Sequence, residues 1–115
     1  MIRQGEIYFY PDPQIPLHPV VVVSREELNR GDRVGVTIIP SSRFAVRSNF
    51  PNCVPIKAGS FGLTKDCVVQ GESIFNAPIA CLELAAGPVG RLDSATVRDV
   101  VRAVGHVMGA TCEPI

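Results

Sequence analysis

The sequence predicts a mainly β domain, a small and strongly bent sheet or barrel of about six strands covered by one C-terminal helix. Three observations carry this. Short runs of β-branched and aromatic residues recur between Gly, Pro, Asn and Ser clusters. The run Val20-Val21-Val22-Val23 is apolar on both of its strand faces, so it belongs in the middle of a sheet. Only Val97, Val100, Val101, Val104, Val107 and Met108 recur at helical spacing, and they sit near the end. A chain of 115 residues is one domain, 1–115, with a single modest core.

The elements follow in order. Glu6-Ile7-Tyr8-Phe9-Tyr10 is a strand that Pro11-Asp12-Pro13 should end, because proline cannot donate to a ladder. A short, proline-stiffened connection leads to the valine strand. Pro19 suits the first position of that strand and pushes His18 into an extended conformation at its mouth. An antiparallel hairpin of these two strands is the simplest topology. Ser24-Arg25-Glu26-Glu27 reads as a capping box opening one or two helical turns, stopped by Gly31-Asp32.

Arg33 to Ile39 is a third strand, closed by Pro40 and followed by Ser41-Ser42-Arg43. Residues 44–52 read as irregular. Cys53-Val54-Pro55-Ile56 is a fourth strand, at an edge because of Pro55. After the turn Gly59-Ser60-Phe61-Gly62, Cys67-Val68-Val69-Gln70 is a fifth, continued by Glu72 to Asn76 past a bulge at Gly71. Ile79 to Leu84 is a sixth, weaker strand, and Gly87 to Gly90 a turn. Asp93 caps the last helix, with Gly109 as its C′ residue.

Composition narrows the function classes. Eleven basic and eleven acidic residues cancel, so no global charge points to nucleic acid or membrane. Between Val34 and Lys65, however, the charged residues are Arg43, Arg47, Lys57 and Lys65, with no acid among them. A basic face on a neutral protein suits an anionic ligand held at one place, or simply a solvated loop face. No signal peptide and no membrane-length apolar run is seen, which predicts a cytoplasmic protein. The four cysteines are widely spread without Cys-x-x-Cys spacing, so they read as reduced thiols rather than a metal site.

Taken in order, several motifs resemble the MazF/PemK family of toxin endoribonucleases. Gly5-Glu6-Ile7-Tyr8 is similar to the family's opening strand, and Asp12-Pro13 to the Asp-Pro after it. His18-Pro19-Val20-Val21-Val22-Val23-Ser24 resembles its Arg-Pro-Val-Val-Val-Val-Ser signature, and Leu28-Asn29 a pair that follows. Ile39-Pro40-Ser41-Ser42 stands where the family has a strand-end Thr-Ser element. Gly62-Leu63-Thr64-Lys65-Asp66-Cys67-Val68-Val69 resembles Gly-Leu-x-x-Asp-Ser-Val-Val, and Gly90-Arg91-Leu92 the Gly-x-Leu before the last helix. The resemblance implies an SH3-like barrel, a homodimer, metal-independent cleavage of single-stranded RNA without a cofactor, and neutralisation by a small antitoxin. The chain departs from the family at three points. His18 replaces the catalytic arginine, the loop between the first two strands is shortened, and Ser73-Ile74-Phe75 replaces a Gln-Ile-Arg/Lys segment.

Metal-free RNA cleavage needs a base for the 2′-hydroxyl, an acid for the leaving oxygen and donors for the phosphate oxygens. Histidine suits proton transfer, since its ordinary pKa of about 6.5 keeps both forms accessible near neutrality. His18 is therefore the candidate base or acid, and Ser41 a candidate phosphate-side donor. Otherwise, His18 is a strand-entry residue bonded to backbone and Ser41 satisfies a turn amide. Ser42, Arg43, Arg47 and Lys57 are candidate RNA contacts, because Arg and Lys hold phosphate. Lys65 is a further cation of the same stretch. Phe75 can stack on a base or serve as core. His106 points away from the valine stripe and reads as solvated. A non-catalytic barrel gripping a protein partner, like a gyrase poison on the same superfold or an inactivated regulator, is the alternative function. A plain interaction domain is a third, against which the lack of any linker segment counts.

Overall fold

The computed structural model describes residues 2–12, 15–29, 31–40, 44–83 and 87–109. Its strands are β1 (Glu6–Asp12), β2 (Ile15–Val22), β3 (Arg33–Ile38), β4 (Cys53–Ile56), β5 (Cys67–Gln70), β6 (Ile74–Pro78) and β7 (Gly90–Arg91). Its helices are α1 (Phe44–Arg47), α2 (Ile79–Glu83) and α3 (Ser94–Val107). Five strands form one antiparallel sheet in the order β6-β3-β2-β1-β7, and β4 and β5 form a separate ribbon. The large sheet does not close into a barrel; β6 and β7 remain its edges.

The valine strand lies at the centre, as its composition requires. Val20 and Val22 enter one core with Ile2, Tyr8, Val34, Val36, Ala77 and Leu82. Val21 enters the other, with Ile7, Ile39, Val54, Val69, Leu92 and Val100. A run of β-branched residues thus supplies both faces of the sheet. The second of these cores sits under the β4–β5 ribbon and α3. Thr37, fully buried, donates its hydroxyl to the Gln70 carbonyl and joins sheet to ribbon.

Several expectations need correction. The first two strands run further into the proline-rich connection than expected. β1 includes Pro11 and Asp12, and the register shifts between Tyr10 and Asp12, where proline has no N–H to offer. Pro19 is not at the start of its strand. It pairs across from Phe9, and its carbonyl accepts from the Ile39 N–H at 2.9 Å. The reciprocal bond cannot form, which is why β3 ends at Ile38.

Ser24 does not cap a helix. Its Oγ accepts from the Gly35 N–H at 3.0 Å and bonds the buried Asn29, whose Nδ2 donates to the Ser24 and Ile2 carbonyls. A turn rather than a helix results over residues 26–29.

The expected bulge at Gly71 is a 3-10 turn, Gly71–Ser73, that redirects the chain from the ribbon to the edge of the main sheet. The expected sixth strand is α2 instead. Pro78 ends β6, and the helical turn buries Leu82 completely. Phe44–Arg47 adds a helical turn inside the expected irregular segment, and Gly90–Arg91 a short seventh strand against β1. The last helix is as expected. Asp93 caps it by accepting from the Thr96 N–H at 2.8 Å, and Gly109, at φ 81°, follows its C-cap Met108. Its stripe is only partly used: Val100 is buried, while Val101, Val107 and Met108 are exposed.

Candidate nucleic-acid cleft

A cleft of about 350 Å³ opens beside the paired strands β1 and β2. Phe9, His18 and Pro19 come from these strands, and Thr64 and Lys65 from the segment before β5. Buried Ile39, Leu63 and Cys67 also line it. His18 is held inside β2, opposite Tyr10, rather than at the strand's mouth. Its backbone is thereby fixed by the ladder, and it is half-buried.

The facing wall is built by local hydrogen bonds. Gly59 N–H donates to the Leu63 carbonyl at 2.8 Å, and Ala58 N–H to Asp66 Oδ1 at 2.8 Å. The second bond occupies the carboxylate nearest the cleft in sequence. Phe61 and Gly62 both take positive φ, 54° and 83°, to turn this loop back on itself. The loop then presses against the strand before α3. A Cβ on Gly90 would lie 1.8 Å from the Phe61 carbonyl oxygen, and one on Gly62 would lie 2.3 Å from that of Val89. Two glycines therefore set the width of the cleft at its Val89 side.

Among the described residues no lining residue is acidic; Lys65 supplies a cation, and His18 borders the cleft. Burial, and then the neighbouring Asp66 charge, push the Cys67 thiol up to about 11, so it stays neutral at physiological pH. The cleft offers anion binding at Lys65, hydroxyl donation at Thr64 and apolar contact at Phe9 and Pro19. It is bordered by His18, a group able to transfer protons, whose side chain alternates to the Tyr10 face.

The other candidates distribute differently. Ser41, Ser42 and Arg43 lie outside the described residues. Arg47 does not line the cleft. Its Nη1 pairs with Glu72 Oε2 at 2.9 Å, and the same oxygen accepts from Asn52 Nδ2 at 2.8 Å. Burial, and then the Glu72 charge, raise the pKa of neighbouring Cys53. Lys57 stands 4.9 Å over the Phe44 ring, beside α1. Phe75 packs edge-on against Tyr10, ring centroids 5.3 Å apart, half-buried against the Val20 core. Strand alternation puts it on the sheet face shared by Tyr10 and His18.

Thr64 and Phe9 are the residues that sequence reasoning passed over, and Lys65 the one it ranked with ordinary surface cations. The Gly62-Leu63-Thr64-Lys65-Asp66-Cys67 motif was the available signal for two of them. Phe9 carried none, because an aromatic in a strand reads as core.

A family model described as PemK-like, MazF-like toxin of type II toxin-antitoxin system matches residues 3–108. No curated protein matches the chain. Among solved structures, an endoribonuclease in complex with its cognate antitoxin from Mycobacterial species is similar with TM-score 0.77 and 19% identity, covering 99% of this chain and 100% of that one. The Mycobacterium tuberculosis toxin MazF-mt6 is similar with TM-score 0.72 and 20% identity, covering 90% and 95%. The MazE-MazF structure from Deinococcus radiodurans matches with TM-score 0.72 and 14% identity, covering 94% and 95%. At such identities the structures speak for the fold, and the match over residues 3–108 speaks for the family. The chain belongs to the PemK-like, MazF-like toxins of type II toxin–antitoxin systems.

Proposed function

We propose that the protein is the toxin of such a pair and cleaves single-stranded RNA without a metal ion. The observation that carries this is the meeting of His18 and Lys65 at one cleft with no acid among its described lining residues in a member of this family. His18 takes the proton of a 2′-hydroxyl as its oxygen attacks the adjacent phosphorus. The bond from phosphorus to the 5′-oxygen breaks, and that oxygen takes a proton from solvent. A 2′,3′-cyclic phosphate and a 5′-hydroxyl remain. The Lys65 ammonium and the Ser41 hydroxyl stabilise the phosphate oxygens, with Arg43 adding positive charge, while Arg47 stays paired with Glu72. Ser42 and Lys57 extend the contact along the strand. Phe75, already packed on Tyr10, has only its open side for RNA.

In this reading the protein acts in the cytoplasm, as a homodimer, and a small antitoxin neutralises it. A relative solved with its cognate antitoxin and the MazE-MazF structure support the antitoxin.

Incubation with a long RNA and mapping of new ends tests the reaction. Cleavage should persist in EDTA. His18→Ala should lower kcat by about a hundredfold or more with the melting temperature unchanged, and Lys65→Ala should chiefly raise KM. Intact RNA at neutral pH, with His18→Ala indistinguishable from wild type, would sink the proposal. If supercoiling by gyrase were inhibited instead, the protein-binding alternative would replace it.

A further inference from the structure

Phe9 is 44% exposed and lies on β1 beyond the reach of β7, which pairs only with Glu6 and Ile7. Its strand neighbours Ile7 and Tyr8 are buried, and its cross-strand partner is Pro19. A scattered exposed phenylalanine needs no explanation, but this one lines a cleft. Around it the lining divides into an apolar part, with Pro19, Leu63 and Val89, and a polar part, with Thr64 and Lys65. That division matches a nucleotide, which has a flat apolar base at one end and an anionic phosphate at the other. About 350 Å³ is at the small end of ligand sites, suiting one base rather than several.

We propose that Phe9 is the base platform of this cleft. It stacks on the nucleobase next to the phosphate held by Lys65. The inference rests on the proposed ribonuclease reading and assigns the stacking role to Phe9 rather than Phe75. Phe75 spends its edge contact on Tyr10, whereas Phe9 keeps nearly half its surface open. Stacking tolerates any base, because every base has a π-face. Phe9 therefore contributes affinity and position more than sequence choice.

The test uses the whole protein and a short oligonucleotide spanning a mapped cleavage site, blocked by 2′-O-methylation at the scissile nucleotide. A series of oligonucleotides removes one base at a time. Phe9→Ala should weaken binding of the complete oligonucleotide about tenfold, the scale of one base stack. Its effect should vanish for the one abasic oligonucleotide that lacks the stacked base. Phe9→Tyr should bind as wild type and Phe9→Leu should not. The melting temperature should not fall in either.

Equal losses on every abasic oligonucleotide, or Phe9→Leu binding as wild type, would overturn the stacking role while leaving the ribonuclease reading intact. Wild-type protein that cleaves no RNA would overturn both. Should Phe9→Ala fail to fold, the abasic series against Phe9→Leu and Phe9→Tyr decides.

Discussion

Cys67 shows how one residue's environment sets its chemistry. It lines an open cleft, yet its side chain is buried and its thiol is pushed up to about 11. Burial disfavours the thiolate, and Asp66 next to it adds to the effect. Native protein should therefore react slowly with iodoacetamide at neutral pH at this position, and unfolded protein quickly. Peptide mapping of the alkylated chain checks this. The folded value lies above the unfolded one, so the unfolded chain loses its proton first as pH rises. The associated stability is present in full below the ordinary thiol range and drains away as pH climbs toward 11. Cys67→Ala should flatten the alkaline limb of the melting-temperature profile. His18 and Phe9 make the same point from the other side. Neither is unusual as a residue type, and the roles proposed for both depend on the cleft they adjoin.

At the scale of elements, the last helix depends on its first turn. Ser94, Ala95 and Thr96 bring no acidic residue, so Asp93 alone supplies negative charge there. Its carboxyl, held below the usual carboxylate range by the side-chain and backbone hydrogen bonds involving Thr96, accepts the Thr96 N–H. Asp93→Ala should lower the melting temperature, and Asp93→Asn should restore most of it, because asparagine caps as well as aspartate. The folded value lies below the unfolded one. The contribution is thus present above the unfolded value and lost as pH falls through the folded one. Asp93→Asn should remove that acid-side loss, which a pH series of thermal melts measures.

The Asp93 cap, like the valine strand, was legible in sequence because its signal is local. α2 was not. Ile79 to Leu82 has β-like composition, and only the need to bury Leu82 against the Val20 core makes the turn helical.

For the whole molecule, the meeting of two distant loops matters most. Gly62 and Gly90 touch each other's loops so closely that neither tolerates a side chain. Gly90→Ala should cost at least about 2 kcal/mol, since its Cβ meets backbone rather than a flexible side chain. Gly31→Ala, with open space around the new Cβ, should lie within about 0.5 kcal/mol of wild type. Denaturant midpoints at constant m-value compare the two. Because Gly62 and Val89 both line the cleft, Gly90→Ala should also impair RNA cleavage beyond what its folded fraction explains.

Local chemistry was enough to determine the mainly β class, the central valine strand, the capped terminal helix and the family likeness. Each rests on residues adjacent in sequence or repeating at a short period, where propensity and hydrogen-bond supply act directly. Tertiary structure alone decided that the sheet stays open, that Pro19 sits within a strand, and that Arg47 is committed to Glu72. It also decided that His18, Lys65 and Phe9 share one cleft. These residues lie on separate segments, and only the packing of a loop against two paired strands brings them within reach of one another.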